Sequence, residues 1–112
     1  IWSHSGGTMP YLYARFERHA ESLRDKAMDV VPNRVMHEMK RFYYETAQGN
    51  TEMQFSALLR MIPVSQVLFG SDYPYRPAME SVEGIDAYGF KAADKRAIDY
   101  GNALRLMPQL KV

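Results

Sequence analysis

The chain contains no cysteine, which excludes disulfides, thiolate nucleophiles and cysteine-ligated metal centres. It has no apolar run approaching the roughly 18 to 20 residues that span a bilayer, and no segment patterned as a secretory leader. An excess of one charge is lacking too: 14 basic residues stand against 13 acidic ones, a formal net charge of +1. That balance gives no reason to expect nucleic acid or a membrane as partner. Neither G-x-G-x-x-G nor a P-loop occurs, so the nucleotide-phosphate signatures are missing. No serine, histidine and acid stand in an order that reads as a nucleophilic triad. The absence of cysteine fits a cytoplasmic, reducing compartment.

What is present is ordinary in bulk. The 112 residues are 46% hydrophobic and 24% charged, enough for one domain with a core and too few for two. The first residue is Ile, inside an apparent strand, so residue 1 reads as a cut end or the start of a segment. Strand-like and helix-like segments alternate, which argues for a parallel α/β arrangement. Residues 1–4 read as a strand, closed by the Gly6-Gly7 turn. Pro10 suits the first turn of a helix over 10–28, with Tyr11, Leu12, Phe16, Ala20 and Leu23 as its apolar stripe. Pro32 and Asn33 reopen a short helix through Val35, Met36 and Met39.

Residues 41–47 form the second expected strand, followed by a turn at Gln48-Gly49-Asn50. Thr51 and Gln54 make a capping-box pattern opening a helix through Phe55, Leu58, Leu59 and Ile62, which Pro63 stops. Residues 64–69 are the third strand and 70–77 a loop. The tail over 91–106 reads as one or two amphipathic helices, broken at Gly101. The methionines, including Met36, Met39, Met53 and Met61, read as core filler. Three βα units result, and a closed barrel needs eight.

His4 and Asp72 each follow a short apolar run and sit in a glycine turn, Ser3-His4-Ser5-Gly6-Gly7 and Phe69-Gly70-Ser71-Asp72-Tyr73-Pro74. A proton-transferring or metal-binding side chain at a strand end is how α/β-barrel enzymes build active sites. An imidazole, with an ordinary pKa of about 6.5, moves protons near neutral pH. An ionised carboxylate suits a borderline metal. The blander reading of Asp72 is a turn-capping side chain, and of His4 a histidine with no special role. Arg15 pairs either with a substrate carboxylate or, more readily, in a salt bridge tying its helix to the sheet. Glu45, at a strand end, stands either behind a metal ligand or in a structural role. Tyr73 and Tyr75 flank the expected mouth. The Gly6-Gly7 turn before a helix also suits an anion.

Four segments together resemble the metal-dependent amidohydrolases of the decarboxylase branch (amidohydrolase family 2, the aminocarboxymuconate-semialdehyde decarboxylase type). His4-Ser5-Gly6-Gly7 with Pro10 and Arg15 is similar to the segment after barrel strand six. Tyr43-Tyr44-Glu45-Thr46-Ala47 resembles strand seven, where the family more often has Asp at the position of Glu45. Leu68-Phe69-Gly70-Ser71-Asp72-Tyr73-Pro74 resembles strand eight and its loop. Gly101-Asn102-Ala103-Leu104-Arg105-Leu106 resembles the carboxy-terminal helix. Ser5 departs from the family's usual glycine.

The resemblance implies a partial TIM (β/α)8 barrel: the last three βα units, strands six to eight, plus the C-terminal helices. Residues 1–112 would then be the C-terminal segment of a single metal-dependent barrel domain. It also implies zinc, held after strand one by His-x-His or Glu-x-His, after strand five by His and after strand eight by the residue matching Asp72. His4 matches the strand-six histidine, which acts beside the metal; His19 and His37 match no family site. The implied activity is non-oxidative decarboxylation of a small aromatic or unsaturated carboxylic acid. A metal-dependent hydrolase or hydratase, and a non-catalytic truncated fragment, are the alternatives. One histidine and one carboxylate cannot complete a zinc centre, and unpaired strand edges invite pairing. The chain is therefore expected to form a homo-oligomer or to associate with the missing part of a barrel.

Overall fold

The computed structural model of the protein describes residues 1–111. Pro10 lies in the first turn of helix α1 (Met9–Ser22), where its missing N–H has no partner to lose. The face that packs on the core is Met9, Tyr13, Phe16 and Ala20, spaced by four and three residues. Tyr11, expected on that stripe, is instead 89% exposed. The helix also stops at Ser22 rather than running to 28. Arg24 takes a positive φ of 50°, which no α-helix accommodates, and the chain restarts as α2 (Ala27–Val30). The short helix α3 (Val35–Met39) buries Val35 and Met39.

The three expected strands are present but brief. Trp2 forms a single parallel bridge to Tyr44, and β1 (Tyr44–Glu45) is the next ladder. Helix α4 (Glu52–Met61) follows, opened by the expected reciprocal cap between Thr51 and Gln54. Strand β2 (Val67–Leu68) pairs parallel to β1, with Tyr44 opposite Val67 and Glu45 opposite Leu68. The spatial order is Trp2, β1, β2, all pointing the same way.

Beyond β2, helix α5 (Ala78–Tyr88) occupies a stretch that the sequence pattern left unassigned. Its end is marked by Gly89 at φ 76°, a left-handed cap that glycine adopts without strain. Helix α6 (Ala92–Arg96) continues through a π turn (Ala97–Gly101) into α7 (Asn102–Leu106). The expected break at Gly101 does not occur, because that residue keeps helical angles of −62° and −40°. The π turn coincides with a diverted carbonyl: Ile98 accepts the N–H of Phe69 at 3.0 Å. Such turns open the ordinary helical ladder.

The core joins both sheet strands to the helices through Tyr44, Phe55, Leu58, Val67, Ile85 and Ile98. Burial pushes the Tyr44 phenol above its usual pKa, and its hydroxyl donates to the Met39 carbonyl at 3.0 Å. Met39 and Met61 are core residues, whereas Met53 is 82% exposed and fills nothing.

The outer side of β2 is not an open edge. Leu68 faces β1, since its carbonyl accepts from Thr46 N–H, so Val67 and Phe69 face outward by alternation. The Val67 carbonyl is taken by Asn102 Nδ2 at 2.7 Å, and the Phe69 amide by Ile98. Of the two unpaired edges expected, the one at β2 is thus occupied at these positions. Among the described residues no helix is long and apolar enough to cross a membrane.

Candidate active site

Parallel order brings together the chain segments that leave Trp2, β1 and β2. His4 follows Trp2 by two residues, Glu45 ends β1, and Asp72 lies four residues past β2. The C-terminal end of a parallel sheet is where α/β enzymes place their reacting groups.

Glu45 is the hub. Its Oε1 accepts the His4 backbone N–H at 2.5 Å, and its Oε2 accepts the Ala47 N–H at 2.7 Å. The imidazole is tied to the same loop, with His4 Nδ1 2.9 Å from the Ala47 carbonyl oxygen. A carbonyl only accepts, so Nδ1 carries the hydrogen and Nε2 is the nitrogen left to bind or exchange a proton. Glu45 Oε1 also lies 3.7 Å from Nδ1.

Asp72 joins through Gln48, whose Nε2 donates to Asp72 Oδ2 at 2.5 Å. Thr46 ties β1 to the Asp72 loop through both backbone groups of one residue, Gly70. Its Oγ1 donates to the Gly70 carbonyl at 3.2 Å and accepts the Gly70 N–H at 3.1 Å. Ser5 Oγ donates to the Gly49 carbonyl at 2.6 Å. These bonds lace three strand-end loops into one patch.

Backbone strain collects in that patch. Among the described residues, four of the six non-glycine residues with positive φ are His4 (53°), Ser5 (53°), Gln48 (50°) and Asp72 (60°). Left-handed conformations in residues with a Cβ are unfavourable and persist where surrounding contacts over-determine them, as at binding and catalytic sites.

The structure brings His4 and Glu45 into direct contact, and links Asp72 to them one residue away through Gln48. It does not join His4 to Asp72 by a hydrogen bond. Among the described residues no group of three or more His, Cys, Asp or Glu side chains is arranged to hold a metal. Asp72 offers one carboxylate and His4 one free nitrogen, short of the three protein ligands of a catalytic zinc. This donor set alone does not fit that metal.

Arg15 sits on the exposed side of α1 and forms no ion pair among the described residues, so the salt bridge expected of it is not seen. Tyr73 and Tyr75, beside Asp72, are exposed. A cleft of about 310 Å³ opens beside His4, between the first turns of α1 and α4, with Tyr11 and Met53 among its walls. Sequence reasoning missed Gln48 and Thr46, which read only as turn and strand residues. The available signal was their place immediately after the strand end that carries Glu45.

No family model matches the chain. Over 114 residues it is 32% identical to the 6-methylsalicylic acid decarboxylase of Penicillium expansum, an alignment covering 99% of this chain and 35% of that protein. A crystallised amidohydrolase II matches at 25% identity with a TM-score of 0.73, over 95% of this chain and 34% of that one. The chain is a relative of the amidohydrolase-2-type decarboxylases. It spans about a third of the length of the curated relatives it matches.

A dihydroxybenzoic acid decarboxylase of Polaromonas shares the fold, with a TM-score of 0.74 at 19% identity over 98% of this chain and 33% of that one. That enzyme was crystallised with manganese and the inhibitor 2-nitroresorcinol. The mixed α/β architecture described above is therefore the fold of about a third of a TIM-barrel amidohydrolase.

Proposed function

We propose that this chain forms part of a metal-dependent, non-oxidative decarboxylase acting on a small aromatic or unsaturated carboxylic acid. In this reading residues 1–112 are the C-terminal segment of one barrel domain, carrying strands six to eight and the helices after them. The observation that carries the reading is the 32% identity to a 6-methylsalicylic acid decarboxylase across 99% of the chain. The clustering of His4, Glu45 and Asp72 at one end of the sheet supports it.

The metal is a divalent cation, a reading supported by the manganese of the Polaromonas enzyme; zinc is the ion we assign. Asp72 supplies one oxygen donor, and the remaining ligands come from outside these residues. When bound, such an ion polarises a substrate oxygen and neutralises charge. The chain's own residues do the rest. His4 holds a proton on Nε2 while Nδ1–H stays bonded to Ala47. As the bond to the carboxyl carbon breaks, its electron pair remains on the ring carbon, which takes the Nε2 proton while carbon dioxide leaves. Solvent then reprotonates Nε2. Arg15, which forms no ion pair among the described residues, is a candidate for the substrate carboxylate. Tyr73 and Tyr75 are candidates for contact with an aromatic ring.

We place the enzyme in the cytoplasm. The Trp2 edge is where the preceding strands of the barrel, or a second copy, continue the sheet.

The test is incubation of the whole, metal-loaded protein with a panel of 2-hydroxybenzoates. One carbon dioxide released per acid consumed, with a product lacking only the carboxyl group, is the expected result. A hydrated or ring-opened product without carbon dioxide would assign it instead to hydrolysis or hydration. No turnover with any member would overturn the assignment to aromatic acids.

A further inference from the structure

We infer that Glu45 is a positioning residue that sets the direction of the His4 imidazole; its catalytic consequence rests on the proton transfer proposed above. Three observations converge on this side chain. Its two oxygens are spent on two different loops, Oε1 on the His4 N–H and Oε2 on the Ala47 N–H. Those two residues are the ones that anchor the imidazole. His4 carries the ring, and Ala47 supplies the carbonyl that holds Nδ1. One carboxylate therefore fixes both ends of the anchor.

The third loop shapes the space. Gly70, after β2, passes so close that a methyl group there would overlap the Glu45 carboxylate. The carboxylate is thus held from below by the third strand end and from either side by the other two. Its bonds to backbone N–H groups are charge-assisted, and so stronger than those of a neutral acceptor. That strength is needed where it acts, because His4 sits at φ 53°, a conformation a β-carbon disfavours. Without the carboxylate, nothing else among the described contacts accepts the His4 N–H.

A purely structural acid would affect folding and leave the imidazole indifferent. Glu45→Gln separates the two cases, since it keeps the size but replaces one acceptor oxygen by a donating NH2. That group cannot accept from either N–H. In the whole protein we expect E45Q to lower kcat about 10- to 100-fold, the range seen when a partner behind a working group is lost. KM should stay within about threefold. Glu45→Asp, one methylene shorter, reaches one amide and should recover part of the loss.

The second readout needs no substrate. In 15N-histidine-labelled protein held near pH 8.5, above the ordinary imidazole range, the wild-type His4 Nδ1 should resonate as a protonated nitrogen and Nε2 as an unprotonated one. E45Q should move both toward the averaged values of a freely exchanging ring. Gly70→Ala, which displaces the carboxylate without altering it, should produce the same shift and loss, and it serves if E45Q does not fold.

Unchanged ring nitrogens in both variants would overturn the inference. So would a loss in E45Q accounted for entirely by less folded protein. If the nitrogens move but the wild type decarboxylates nothing, the clamp stands and the proton-transfer reading falls.

Discussion

Replacing His4 by Gln is expected to lower kcat of the whole protein about 10²- to 10⁴-fold, the contribution of a positioned general acid or base. The side chain is close to half exposed, so its loss leaves no cavity and the fold should survive. KM should change little, because the proton moves in the transition state and contributes nothing to holding the ground state. Single-turnover measurement of carbon dioxide release from a tested hydroxybenzoate, with circular dichroism to confirm folding, checks both halves. Retention of more than about a fifth of wild-type kcat would remove His4 from the chemistry, whatever its place in the site.

The largest effect on stability is expected at Phe55. This residue is fully buried on α4 and meets two other rings edge-on. Tyr88 lies at 5.2 Å and 62°, and Phe90 at 5.2 Å and 82°. Tyr88 and Phe90 in turn touch at 4.6 Å, so the three rings join α4 to the end of α5. Phe55→Ala loses the buried ring and leaves a cavity that flanking aromatic side chains cannot collapse to fill. A cost of about 3–5 kcal/mol follows from comparable truncations. Chemical denaturation of the whole protein measures it, and a loss under about 1 kcal/mol would show that these rings are not the joint we describe.

Much of the helical framework was legible because its signals are local. Thr51 and Gln54 announce a reciprocal cap that depends on four residues only, and Pro63 ends that helix for reasons internal to proline. Helix α5 was as legible in principle, since Pro77 and Gly89 bracket it. Ser81, Glu83 and Gly84 break up its apolar pattern, which hid it. Gly101 misled for the opposite reason. Its low helix propensity suggested a break, but the diverted Ile98 carbonyl, bonded to Phe69, and the buried Asn102, bonded to Val67 of β2, hold the helix through it. Tertiary contacts override propensity in such places.

The strands and the site divide in the same way. Apolar runs pointed correctly to three parallel segments, yet ladder length depends on partners distant in sequence, and here it shrinks to pairs of residues. His4, Glu45 and Asp72 were visible as strand-end residues with suitable chemistry. What links them was not visible. The bonds His4 to Glu45 and Gln48 to Asp72 span 41 and 24 residues, and nothing in local pattern encodes a contact at that range. Arg15 shows the converse. Its charge suggested a salt bridge, whereas it is exposed and forms no ion pair among the described residues.

Crystallography of the whole protein with zinc, located by its anomalous scattering, probes the convergence at the strand ends directly. A single strong peak bonded to an Asp72 oxygen at about 2.0–2.2 Å, with His4 Nε2 turned toward the same cavity and Nδ1 still on Ala47, is the expected result. A peak away from Asp72, with that carboxylate still bonded to Gln48 and His4 facing elsewhere, would contradict it.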